Sequence, residues 1–254
     1  MKKLGAVLSL LLIIAAIYYS FYGLTPHYEG DETAPASDFS VDRALRALSE
    51  ISKKPHYLGS EGHEEVRRIL ISELRKLGLE PHIQKGFSLN PESKTLDKPI
   101  NIVARLKGSE DGKALLLLSH YDSALVPFGA SDAGSGVVTI LESVRAYLAS
   151  RQLPKNDIII LFSDAEEIGL DGAKLFVNEH PWAKNVGLVL NFEARGSSGP
   201  SNMILETNGG NAKLVKEFIA SNPDFPVASS LMYSVYKMLP NDTDSTIFRE
   251  DGDI

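Results

Sequence analysis

The sequence predicts an α/β protein: a mixed, largely parallel central sheet sandwiched between helices and preceded by one transmembrane helix. Three observations carry that expectation. Apolar runs of strand length alternate with stretches of helical periodicity from residue 41 onward. Several of those runs are apolar on both faces, as strands covered on both sides must be. Residues 4–24 form an uncharged apolar run of about the length that crosses a bilayer core as a helix.

Composition sets the bounds. A chain of 254 residues that is 43% hydrophobic can bury one sizeable core. The net charge of -7, with Lys and Arg scattered among carboxylates, excludes a nucleic-acid binder, which needs clustered cations to neutralise phosphate. Cysteine is absent, so disulfides, thiol nucleophiles and thiolate-held metals are excluded.

Taken in order, residues 1–25 read as a signal-anchor. Lys2 and Lys3 precede the apolar run and should stay cytoplasmic, which puts the rest of the chain on the non-cytoplasmic side of a single-pass topology. A cleaved signal peptide competes with that reading, but the run ends in Tyr18, Tyr19, Phe21 and Tyr22, where a signal peptidase needs small residues. Residues 26–40, with Pro26, Pro35 and several acids, read as a tether, and residues 41–254 as the folded domain. Helical spacing marks residues 41–51, 64–77, 137–149 and 211–221, with a shorter stretch at 169–178; strands are expected at 101–106, 114–120, 157–163, 187–192 and 202–206.

The chemistry gathers where those strands end, the place ligands occupy in open α/β sheets. The run 114–120 ends in His120-Tyr121-Asp122, whose first and third residues share a face if the strand continues. Gly129-Ala130-Ser131-Asp132-Ala133-Gly134 is a glycine-rich turn ahead of a helix, without the Gly-Lys-Ser/Thr ending of a phosphate loop. The run 157–163 delivers Asp164-Ala165-Glu166-Glu167, and the run 187–192 delivers Glu193-Ala194-Arg195. Each has a plain structural reading on its own: a satisfied histidine, an N-cap aspartate, a Glu193–Arg195 ion pair. Together, one imidazole and several carboxylates at successive strand ends form a hard nitrogen and oxygen environment suited to zinc or a related divalent ion, with a glutamate to spare as a base.

The segments His120-Tyr121-Asp122-Ser123, Gly129-Ala130-Ser131-Asp132, Asp164-Ala165-Glu166-Glu167 and Asn191-Phe192-Glu193-Ala194-Arg195-Gly196 resemble those of the M28 family of co-catalytic zinc peptidases, most closely its membrane-bound endoplasmic-reticulum and vacuolar branch and bacterial relatives. The resemblance implies a zinc-exopeptidase-like fold and two zinc ions per complete site. By it, His120 and Glu193 hold the first zinc, Asp132 bridges both and Glu167 holds the second. Glu166 is the general base and Asp122 orients His120, a role that metal-site physics also supports. The implied reaction is attack on a peptide bond by a hydroxide bridging the two ions, on an amino-terminal rather than an internal bond. The stretch Pro240-Asn241-Asp242-Thr243-Asp244 is similar to a segment near the family's substrate pocket, without a catalytic role assigned to it.

One departure stands out. The family takes another histidine for the second zinc from a later segment, and no histidine follows His180. The expectation is therefore a chain lacking the C-terminal part of its domain, binding one zinc tightly and turning over poorly. Two other readings are compatible with the scaffold: a glutaminyl cyclase-like enzyme, and an inactive membrane-tethered binding domain derived from a peptidase. The partners expected are a peptide or protein substrate and, through residues 4–24, a membrane.

Overall fold

The computed structural model describes residues 2–24, 30, 32–90, 94–194, 196–197, 201–221, 227–239 and 242–251. Two compact units emerge: Gly30–Gly196 with Asn241–Ile254, and Met1–Glu29 with Ser197–Pro240. Residues 197–240, inside the domain expected over residues 41–254, fall in the second of these.

In the first unit the helices α2 (Val41–Ile51) and α3 (Glu61–Lys76) begin at serine caps. The side chains of Ser40 and Ser60 accept the amides of Arg43 and His63, supplying partners that a helix start otherwise lacks. Strand β1 (His82–Lys85) leads into a separate two-stranded hairpin, β2 (Ser88–Asn90) with β3 (Thr95–Asp97), and then to β4 (Ile100–Leu106). Strand β5 (Ala114–His120), α4 (Gly136–Ala149), β6 (Ile158–Ser163), α5 (Glu166–Gly169), α6 (Asp171–Glu179) and β7 (Val186–Asn191) follow. The five-stranded sheet has the order β1-β4-β6-β5-β7. β5 is parallel to both β6 and β7, whereas β4 is antiparallel to β6 and to β1, so four strands run one way and β4 alone runs against them.

Side-chain alternation along the strands splits the core into two layers. Ile160 and Phe162 of β6 pack with Val66, Leu70 and Leu74 of α3 and Val137, Ile140 and Val144 of α4. Ile159 and Leu161 face the other way, onto Phe176 of α6 and onto Ile247 and Phe248 of α9 (Asp244–Asp251). The central strands are consequently buried on both faces, as their continuous apolar sequence requires.

The tether read at residues 26–40 is bound to this unit at its later end. Glu142 is buried on α4 and needs cations; Arg43 and Arg145 reach it at 2.9 and 2.7 Å. Their remaining N–H groups donate to the carbonyls of Ala34, Ala36 and Asp38, pinning that stretch. The earlier residues 26–29 of the tether lie outside the described residues.

The second unit holds α1 (Lys2–Leu24), long and apolar enough to cross a membrane, together with α7 (Ala212–Ala220) and α8 (Ser230–Met238). The strand expected at 202–206 does not form. The Met203 N–H donates to the Val227 carbonyl, and among the described residues no neighbouring strand offers a ladder. The apolar run could not become a strand without a sheet edge to join.

Candidate metal centre

His120 ends β5 and is buried, with its ring fixed from both sides. Its Nδ1 lies 2.9 Å from the backbone carbonyl of Asp122, to which it donates, and 3.5 Å from that residue's carboxylate. This directs Nε2 toward Asp132 Oδ1 at 2.9 Å, Glu193 Oε1 at 3.4 Å and Glu166 Oε2 at 3.9 Å. Asp122 therefore orients His120 mainly through its main chain. Its carboxylate does other work, accepting the amides of Glu166 at 3.1 Å and Glu167 at 3.3 Å and so fastening α5 to the end of β5.

Asp132 arrives by a different route. It sits in a short π-type bend (Ala130–Ser135) entered through Gly129 at φ 62°, a left-handed conformation that favours glycine, and its peptide bond to Ala133 is cis. At the far end of the bend, a Cβ on Gly136 would lie 2.5 Å from both the Phe192 carbonyl and Ser119 Oγ, so only glycine lets α4 approach β7 here. The bend is thereby held against the residue before Glu193.

The Asp164-Ala165-Glu166-Glu167 turn closes the site. Asp164, fully buried, accepts from His63 Nε2, the Ala165 amide and the Ile100 amide, each at 2.8 Å, and from the Tyr121 hydroxyl at 3.3 Å. Ala165 then takes φ 58°, which turns the chain so that Glu166 and Glu167 both line the cavity. That cavity, about 420 Å³, is also lined by Asp132, Gly169, Leu170, Glu193 and Asp242.

The donor atoms of His120, Asp132 and Glu193 all lie within 4.8 Å of one another. Glu167 shares the cavity, but its Oε1 accepts the Ala124 amide at 3.0 Å and it stands apart from that trio. His180, the nearest later histidine, caps α6 and stacks on Phe176, away from the cavity lining. The Arg195 partner considered for Glu193 lies outside the described residues.

The electrostatics fit a divalent cation. Burial, reinforced by the like charges of Asp244, Glu193 and Asp122, pushes the Glu166 carboxyl up to about 9 against the opposing pull of His120. Burial and the charge of Asp132 raise Glu167 as well. His120 would be lowered by burial, but hydrogen bonds from it to Asp122, Asp132 and Glu193 carry it well above its ordinary value. Glu193 Oε2 is buried with no hydrogen-bond partner among the described residues. Convergent donors, an orphaned carboxylate oxygen and surplus negative charge are what a zinc ion would satisfy, with His120, Asp132 and Glu193 as its holders.

Sequence reasoning assigned no role to Asp244, at the first turn of α9. It is buried, is pushed up to about 7 by burial, its charge bears on Glu166, and it accepts from Ser163 Oγ. The two residues are 81 apart, and no periodicity links them. His63, which holds Asp164 across 101 residues, was likewise invisible.

Comparison with known proteins completes the picture. The vacuolar membrane protease of Schizosaccharomyces japonicus is 33% identical over 225 residues, covering 83% of this chain and 26% of its own. This chain thus spans about a quarter of the length of the curated relatives it matches. Among solved structures, Porphyromonas gingivalis glutaminyl cyclase is 25% identical with a TM-score of 0.50, over 56% of each chain. A leucine aminopeptidase precursor from Bacteroides thetaiotaomicron, 22% identical with a TM-score of 0.51 over 63% of each chain, shares the fold. The model of peptidase family M28 matches residues 101–254, a range that takes in the ends of β5, β6 and β7, the bend carrying Asp132 and the helix carrying Asp244, and this chain belongs to that family.

Proposed function

We propose that this chain carries a membrane-anchored, zinc-dependent peptidase domain acting on amino-terminal peptide bonds. The observation that carries the proposal is the convergence of the buried His120 on Asp132 and Glu193, which line one cavity with Glu166. His120, Asp132 and Glu193 would hold one zinc, and Glu167, across the cavity from them, would serve with Asp132 if a second ion binds. Zinc so held lowers the pKa of coordinated water and polarises a carbonyl. The residues do the rest. Asp122 keeps His120 in the tautomer that leaves Nε2 free for the metal. Glu166 accepts the proton of the attacking water at its carboxylate and returns it to the departing amine. A cation nearby would draw its pKa down from about 9 into the range of a working base. Helix α1 stays in the mature protein as a single-pass anchor, with Lys2 and Lys3 cytoplasmic and residues 41–254 on the other side.

Glutaminyl cyclisation is the second reading, supported by likeness to a solved cyclase. The Glu166-Glu167 pair and the shared position of Asp132 favour hydrolysis. Turnover on aminoacyl reporters and on peptides with amino-terminal glutamine separates the two, and zinc binding without either reaction would leave a binding domain. Glu166→Gln should abolish turnover while leaving zinc content nearly unchanged, and Glu167→Gln should lower zinc content. An active Glu166→Gln protein overturns the assignment of the base.

A further inference from the structure

In the unit formed by Gly30–Gly196 and Asn241–Ile254, seven large apolar side chains are more than half exposed among the described residues. Six of them gather at one end of the sheet. Because β1 runs with β5, β6 and β7, the β2–β3 hairpin that joins β1 to β4 lies at the carboxyl ends of the parallel strands, where the cavity opens. The hairpin carries Phe87, Leu89 and Leu96, the last two paired across its strands. The loop following β5 carries Leu125, Val126 and Phe128, in a segment from Ser123 to Ala130 without a single charge. Both connections touch the cavity wall: Asn90 lies against Gly169, and the Ala124 amide binds Glu167. The seventh residue, Leu153, precedes β6 and so sits at the opposite end.

Exposing this much apolar surface at one end is costly unless something covers it. A protein partner would ask for a rim of paired hydrogen-bonding groups, whereas a lipid surface asks only for projecting apolar tips flanked by cations. Among the described residues of the hairpin the exposed charges are cationic: Lys85, Lys94 and Lys98, with Lys98 Nζ 5.5 Å over the Phe87 ring, while Asp97 is half-buried between them. That charge is complementary to anionic headgroups, and the same chain carries a helix of membrane-spanning length.

We propose that the β2–β3 hairpin and the 124–128 loop form a lipid-docking surface that sets the mouth of the metal cavity against the bilayer. Apolar tips enter the interface and the lysines meet anionic headgroups. The docking does not depend on turnover, so it stands or falls separately from the peptidase reading.

The absence of cysteine permits a direct test with the full chain in phosphatidylcholine/phosphatidylserine vesicles, measured on protein that floats with the lipid. Leu89→Cys, Val126→Cys and Leu153→Cys are each labelled with an environment-sensitive dye. At 89 and 126 the emission should shift to the blue and be quenched at least twofold more by doxyl-labelled lipid than at 153. Changing Lys85, Lys94 and Lys98 together to Glu should weaken that quenching in anionic vesicles. Equal, water-like behaviour at all three sites overturns the proposal. So does protection at 89 and 126 from both doxyl lipid and aqueous iodide, which would mean a covering protein.

Discussion

The turn after β6 and the bend after β5 deliver carboxylates to the same cavity by opposite means. At Asp164-Ala165-Glu166-Glu167 the chain is held by buried side-chain hydrogen bonds: the Asp164 carboxylate takes four donors, and Asp122 takes the next two amides. At Gly129–Gly136 it is held by what is missing, since Gly129 adopts φ 62° and Gly136 leaves room for the Phe192 carbonyl. The first loop is clamped by buried carboxylates, whereas the second joins glycine sterics to a few hydrogen bonds, such as the Gly134 amide to the Gly129 carbonyl at 2.9 Å. The side chains they present differ accordingly: Glu166 is 13% exposed and Asp132 50%.

That contrast predicts where the molecule breaks. Asp164→Ala should be the most damaging change, because it leaves His63 and the amides of Ile100 and Ala165 buried without their acceptor, while the Tyr121 hydroxyl keeps the Ile100 carbonyl; a loss of about 3–5 kcal/mol is expected in chemical denaturation. A loss below about 1 kcal/mol would mean that water replaces the carboxylate and that the turn is not held as described. Gly136→Ala should cost less, about 1–3 kcal/mol, by overpacking against β7. It should also weaken zinc binding in calorimetry, since both Asp132 and Glu193 flank the point of crowding. Unchanged affinity would show that the bend adjusts freely.

The pH dependence bears on both loops together. The Glu166 carboxyl rises from 4.5 to about 9 on folding without metal, so the folded chain holds a proton that the unfolded chain releases. Stability of the metal-free protein should therefore be greatest below about pH 4.5 as far as this group is concerned and decline as pH climbs toward 9. Zinc should cancel the decline and release protons on binding, giving an affinity that strengthens from pH 6 to pH 8. Thermal melts with and without zinc across that range test it, and a metal-free melting point that rises with pH contradicts it. The smallest effect belongs to Ala165→Gly. Relief of the left-handed backbone at φ 58° should offset the added chain entropy to within about 1 kcal/mol, which would leave the polar clamp as the holder of the turn.

The site was legible where the strand pattern and the chemistry share a boundary. His120, Asp164, Glu166, Glu167 and Glu193 all follow apolar runs whose ends the sequence marks. Asp132 was visible through its glycines. The splitting of residues 166–179 into α5 and α6, divided at Leu170 with φ 59°, was not visible, because a helical period continues through the break. Nor was the short β2–β3 hairpin, whose strands are too brief to set up an alternating pattern.

By itself the sequence determined the alternation of strands and helices, the membrane-length helix and the carboxylate-rich strand ends, since each follows from local periodicity and burial of apolar side chains. Only the tertiary structure decided which carboxylates meet. Strand order places the ends of β5, β6 and β7 side by side, and contacts such as His63–Asp164 and Ser163–Asp244 span 101 and 81 residues. It also decided that residues 202–206 meet no sheet edge among the described residues. Pairing of that kind depends on chain segments brought together by the whole core, for which a local stretch of sequence holds no record.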